Sequence, residues 1–208
     1  MIPRETISGI VLAGGQSRRM GGQDKSWLDL NGTPAVERAL ERLRPQVANI
    51  AINTNADPAP FERFGVPILA DTLPDYPGPL AGILTAMKWA STQPGVTHVA
   101  SVATDTPFFP TDFVQRLSAA APDTVSIVMA QSGPQGDVWT HPVFALWPVV
   151  LSDALERYLT VENERKIILF SQRHNQTNLH FGQTPDPFFN INTPHDLARA
   201  QDRLRENG

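Results

Sequence analysis

Residues Leu12-Ala13-Gly14-Gly15-Gln16-Ser17-Arg18-Arg19-Met20-Gly21-Gly22-Gln23-Asp24-Lys25 follow a short apolar run, Ile7 to Leu12, that reads as a strand. Four glycines, two arginines and a lysine share this loop, and helical patterning resumes near Pro34. Glycine lets a backbone approach a ligand closely and turn N–H groups toward it, as phosphate oxygens require. The cations bring positive charge to the same place. Two familiar phosphate loops are excluded by spacing. The dinucleotide fingerprint needs G-x-G-x-x-G, whereas Gly14 and Gly15 are adjacent, and the P-loop needs G-K-[ST], whereas Gln23 and Asp24 separate Gly22 from Lys25. A strand followed by a nucleotide-phosphate loop of another kind is the expectation, with a solvated surface charge a plausible reading of Arg18 and a poorer one of Lys25.

The rest of the chain alternates strand-like and helix-like segments, which favours a largely parallel sheet covered by helices, in one domain over 1–208. Strands are expected at 48–52, 66–69, 98–102, 125–130, 143–147 and 188–191. Helices are expected from Pro34 (stripe Val36, Leu40, Leu43), from Pro79, from Thr111, over 151–159 and 166–170, and after Pro194. The 19 prolines punctuate apolar segments, which argues for tight connections rather than disorder. A net charge of −4 speaks against general nucleic-acid binding, while the local cluster Arg18, Arg19 and Lys25 suits a small anionic ligand. No apolar run approaches the roughly 20 residues of a membrane span, and no charged start precedes an apolar stretch, so neither membrane nor signal peptide is expected. The absence of cysteine excludes disulfides and thiolate chemistry and fits a cytoplasmic protein.

Candidate functional residues fall just past the expected strand ends, where open α/β sheets bind ligands. Asp105, before Thr106-Pro107, is suited to hold Mg²⁺ beside substrate phosphates or to cap a turn. Lys25 and Arg19 are placed to neutralise phosphate charge, with Asp24 either orienting Lys25 or simply exposed. Asp71 could accept both N1–H and N2–H of guanine, and Asn53 could supply amide contacts; both are equally good caps or turn formers. Tyr76 to Gly82 leads into a helix whose N-terminus favours anions, and Gly82 permits either close ligand approach or helix–sheet packing. Asn190 and Asn192 alternate on the expected last strand and so share a face, although Asn192 could cap the final helix. His141 has no triad partner in a defensible order and reads as structural or peripheral.

These residues together resemble the nucleotidyltransferases that act on the molybdenum cofactor. Leu-Ala-Gly-Gly-x-Ser-x-Arg-Met-Gly-x-Asp-Lys is their signature, met here with one extra residue before Asp24. Asp71, the Tyr76–Gly82 segment, Asp105-Thr106-Pro107 and Asn190-x-Asn192-Thr193-Pro194 are similar to the later blocks, in order. The resemblance implies a three-layer α/β/α Rossmann-like fold and transfer of GMP from GTP to molybdenum-molybdopterin with release of pyrophosphate. It further implies that Leu12, Ala13, Gly14, Gly15, Lys25, Asn53, Asp71 and Asp105 bind GTP, with Asp105 also on Mg²⁺ and Arg19, Lys25 and Asp105 catalytic. Gly78, Gly82, Asn190 and Asn192 would lie toward the pterin, in the C-terminal part, and transient contact with cofactor-delivery proteins and acceptor molybdoenzymes is implied. Gly15 and Thr106 resemble the guanine-specific branch rather than its cytidylyl counterpart. More distant nucleotidyltransferases, on sugar phosphates or isoprenoid precursors, as a rule lack the late asparagine block. A non-catalytic nucleotide sensor would be favoured had Lys25 or Asp105 been missing.

Overall fold

A computed structural model describes residues 1–14, 24–73, 78–134 and 136–206. The strands are β1 (Ile7–Leu12), β2 (Asn49–Asn53), β3 (Ile68–Leu69), β4 (His98–Ala103), β5 (Val128–Ser132), β6 (Trp139–Pro148) and β7 (Thr177–His180). They form one sheet in the order β3-β2-β1-β4-β6-β5-β7. All pairings are parallel except those of β6, which runs against both β4 and β5. The helices are α1 (Ala35–Leu43), α2 (Pro79–Ser91), α3 (Phe113–Ala120), α4 (Ser152–Thr160), α5 (Ile167–Gln172) and α6 (Pro194–Glu206). The fold is therefore a mostly parallel three-layer α/β/α sandwich.

The two faces of β1 explain the layering, because successive residues of a strand point to opposite sides. Ile7 and Val11 join Val36, Leu40, Leu43, Phe113 and Leu117 in the core under α1 and α3. Ile10 and Leu12 join Ile83, Leu84, Met87, Leu155 and Phe170 in the core under α2, α4 and α5. A third, smaller cluster ties α6, through Ala200, to Leu28, Leu30, Phe108 and Ile191. Side-chain amides strengthen that dock: Asn31 Nδ2 donates to Gln201 O at 2.9 Å and Gln201 Nε2 to Asp29 O at 2.9 Å. The C-terminal helix is thus fastened to the segment that follows Lys25.

Three expectations are corrected. Residues 188–191 form an irregular segment rather than a strand: Ile191 N donates to Asp105 O at 2.8 Å instead of to a sheet partner, while Phe188 and Ile191 drop into different apolar clusters. Asn190 and Asn192 are therefore not neighbours on a pleated face. The edge strand β7 was not expected; it is half exposed, and Leu179 is its single aliphatic side chain. The strand foreseen at 143–147 extends back to Trp139, so β6 has ten residues.

Candidate active site

Five strands bring their functional ends to one rim. The C-terminal ends of β1, β2, β3 and β4 deliver Leu12–Gly14, Asn53, Asp71 and Asp105. Because β6 runs the other way, its first half, Thr140–Phe144, reaches the same rim. An open cleft of about 1050 Å³ lies there, also lined by Gly78, Pro79 and Asn190.

At one end, Asp71 is held by two amides. Asn53 Nδ2 donates to Oδ1 at 2.8 Å and Asn55 Nδ2 to Oδ2 at 2.8 Å, while Asp71 N donates to Asn55 Oδ1 at 2.8 Å. Asn53 is buried and its amide also donates to Leu69 O at 3.1 Å. A carboxylate offers about four acceptor positions, so each oxygen keeps one beyond these bonds, and Asp71 lines the cleft. Asn55 was passed over in the sequence because an Asn beyond a strand end looks like any turn former.

Gly82 does not line the cleft. It is buried on the first turns of α2, and a Cβ there would stand 2.2 Å from Asn53 Oδ1 and 3.0 Å from Leu12 Cδ2. Its lack of a side chain makes room for the Asn53 amide. Gly82→Ala gains up to about 1 kcal/mol of helix propensity but forces a contact no ordinary packing tolerates. A net loss of about 1–3 kcal/mol is expected in urea denaturation; wild-type stability in that variant would show that Asn53 has another place to go. Gly78 precedes α2 at φ 122°, a conformation that strains any residue with a Cβ, and sets the helix N-terminus against the cleft.

In the middle, Lys25 reaches across to Asp105. Its Nζ donates to Asp105 Oδ2 at 2.9 Å and to Asn192 Oδ1 at 2.6 Å, with both ion-pair partners largely shielded from solvent. Thr106 Oγ1 approaches Asp105 Oδ1 at 3.4 Å. Asp24, readable in the sequence as orienting Lys25 or as simply exposed, accepts from Ser26 N at 2.9 Å and caps the short turn Lys25–Trp27. Asn192, expected to face the pterin, meets Lys25 instead. Gly15 and Arg19, with Arg18 and Tyr76, lie outside the described residues.

His141, set aside in the sequence as peripheral, lines the far end of the cleft. Its Nε2 is 2.7 Å from Ser132 Oγ and its ring stacks on Phe188 at 4.5 Å. Burial pulls its pKa below the usual imidazole value, against an opposing pull from Asp186, so the ring is neutral near pH 7. The antiparallel sense of β6 puts it at the rim, and nothing in the local sequence reveals that sense.

The donor set suits a hard divalent cation. Asp105 presents carboxylate oxygens, and among the described residues no three of His, Cys, Asp and Glu gather to form a closed metal cage. Mg²⁺ commonly binds through one or two carboxylates and completes its shell with phosphate oxygens and water. Among the described residues, no helix is long and apolar enough to cross a membrane.

Fold and rim together define a nucleotidyltransferase of the α/β class. The family model described as a MobA-like NTP transferase domain matches residues 9–177. A curated protein of Mesorhizobium japonicum named molybdenum cofactor guanylyltransferase is 48% identical over 202 residues, 95% of each chain. One of the same name from Rhizobium meliloti is 45% identical over 92% of this chain and 89% of its own. The crystal structure of molybdopterin-guanine dinucleotide biosynthesis protein A from Archaeoglobus fulgidus shares the fold, with a TM-score of 0.72, 24% identity and coverage of 96% and 99%. So does 4-diphosphocytidyl-2C-methyl-D-erythritol synthase from Anaerococcus prevotii, at 0.75, 13%, 97% and 96%. The chain belongs to the molybdenum cofactor guanylyltransferase family within the MobA-like nucleotidyltransferases.

Proposed function

We infer that the protein transfers GMP from GTP to the terminal phosphate of molybdenum-molybdopterin, releasing pyrophosphate and forming the guanine dinucleotide form of the cofactor. The observation that carries this reading is the Asp71 carboxylate, fixed by Asn53 and Asn55 at one end of a cleft whose centre holds Lys25 and Asp105. The first group reads a base with two adjacent donors; the second meets phosphates. In this reading Leu12–Gly14 pass beside the nucleoside, with Gly15 and Arg19 assigned to the phosphates by motif.

The acceptor phosphate attacks the α-phosphorus of GTP and the bond to the β-phosphate breaks, so no covalent enzyme intermediate is required. Lys25 neutralises charge on the phosphates as it builds in the transition state. Asp105 would hold Mg²⁺, which supplies further charge neutralisation and orients the phosphates when bound. Gly78 and Asn190 line the same cleft as Thr140–Phe144 of β6, and the family motif assigns both to the pterin. Gly82 supports Asn53 instead of touching substrate.

Asp71→Asn should reduce the preference for GTP over ATP by about tenfold, because an amide donor would then oppose a guanine donor where the carboxylate offered an acceptor. The ratio of dissociation constants checks this, and an unchanged ratio places base reading elsewhere. The nucleotide assignment itself is tested by thermal stabilisation with GTP, CTP, ATP and UTP, each with Mg²⁺. A ligand at about 100 times its dissociation constant adds roughly 2.7 kcal/mol. A shift with GTP alone supports the guanylyl reading; a larger shift with CTP moves the protein to cytidylyl transfer.

A further inference from the structure

We propose that Asn192 is a positioning residue for Lys25, acting through the ammonium rather than on the pterin; this rests on the reading of Lys25 as the phosphate-neutralising group. Asn192 lies beyond residue 177, where the family match ends, and 167 positions from Lys25 in sequence. Three sets of contacts bring it there. Ile191 N donates to Asp105 O at 2.8 Å, which ties the segment to the loop after β4. Asp196 Oδ2 accepts from Asn192 N at 3.2 Å, Thr193 N at 3.0 Å and Thr193 Oγ1 at 2.8 Å, and Asp196 N donates back to Thr193 Oγ1 at 3.2 Å. This reciprocal cap fixes the chain entering α6. The amides of Asn31 and Gln201 then bind α6 to the stretch following Lys25.

The chemistry of the arrangement follows from counting donors. An ammonium has three N–H groups and no acceptor. Asp105 takes one and Asn192 takes a second. Among the described residues the third has no partner, and it is the one left for a phosphate oxygen. Asp105 alone would draw the flexible lysine fully onto its carboxylate, where the ammonium competes with a divalent cation. A neutral carbonyl on the other side holds Nζ between the two and orders four side-chain torsions before GTP arrives. A carbonyl serves better than a second carboxylate, which would repel the triphosphate.

Calorimetric titration with GTP and Mg²⁺ is the test, on the wild type, N192A, K25A and the double variant. N192A should weaken binding by about three- to tenfold, the range of an ordinary net hydrogen bond, because the site is partly wet. The double variant should bind no more than about twofold more weakly than K25A, because the two residues act through one contact. Wild-type affinity in N192A, or losses that multiply in the double variant, would overturn the proposal. A second readout needs no nucleotide: acylation of Lys25 in the ligand-free protein, followed by peptide mass. N192A should accelerate modification of Lys25 at an unchanged melting temperature, and N192D, which keeps the acceptor oxygen, should restore slow modification. Equal rates in all three proteins would overturn the positioning role. Failure of the wild type to bind GTP would instead sink the guanylyl reading, leaving Lys25 acylation to decide the role of Asn192.

Discussion

Lys25→Ala is expected to lower the turnover of GMP transfer by about 10²- to 10³-fold, the range found when one preorganised donor is removed from a developing negative charge. The lysine bridges Asp105 and Asn192 across the centre of the cleft, so its loss removes a full positive charge from the place where phosphate is expected. The fold should survive. Lys25 is in none of the three apolar clusters, so its loss leaves the packing of the core intact. Steady-state kinetics beside a melting curve separate the two effects. A variant that keeps its melting temperature and loses turnover matches the expectation; full turnover would remove Lys25 from the chemistry. Lys25→Arg should recover only part of the rate, because a planar guanidinium cannot take the place of a compact ammonium between a carboxylate and an amide.

Asp105→Asn should cost more, about 10²- to 10⁴-fold in turnover, because it removes the carboxylate assigned to the divalent cation while conserving shape. Its amide oxygen can still accept from Lys25, so the local geometry is largely retained. The sign of the binding effect sets this variant apart from simple damage. Without Mg²⁺, GTP should bind Asp105→Asn as tightly as the wild type or more tightly, since one negative charge facing the phosphates is gone. With Mg²⁺, the gain in affinity that the wild type shows should shrink or vanish. Titrating Mg²⁺ at fixed GTP reads both; a wild-type Mg²⁺ dependence in the variant would place the cation on other groups.

Much of this arrangement is legible in the sequence, for identifiable reasons. The β1 strand and the proline at the start of α2 are local signals, and both survive into the fold. Asn53, Asp71 and Asp105 stand out because all three fall just past strand ends, where open α/β sheets bind ligands. What the sequence hides is long-range. The reversal of β6 depends on how β5 and β7 pair beyond it, and it brings Thr140–Phe144 and the neutral His141 to the rim. The irregular segment 188–191 looks like a strand by composition, because it holds two phenylalanines and an isoleucine. Its backbone bonds to the Asp105 loop instead. The family motif points Gly82 and Asn192 toward substrate, yet each meets another functional side chain, Asn53 and Lys25 respectively. Pairings between residues so far apart in the chain leave no periodic mark.

The decisive measurement follows the label of GTP carrying radioactive phosphorus at the α-position, incubated with the protein, Mg²⁺ and molybdenum-loaded molybdopterin. The label should appear in a guanine dinucleotide of the pterin, in step with release of one unlabelled pyrophosphate, and no such product should form from equally labelled CTP. Transfer from CTP in preference to GTP, or conversion of GTP to free GMP with no dinucleotide, would contradict guanylyl transfer by this cleft.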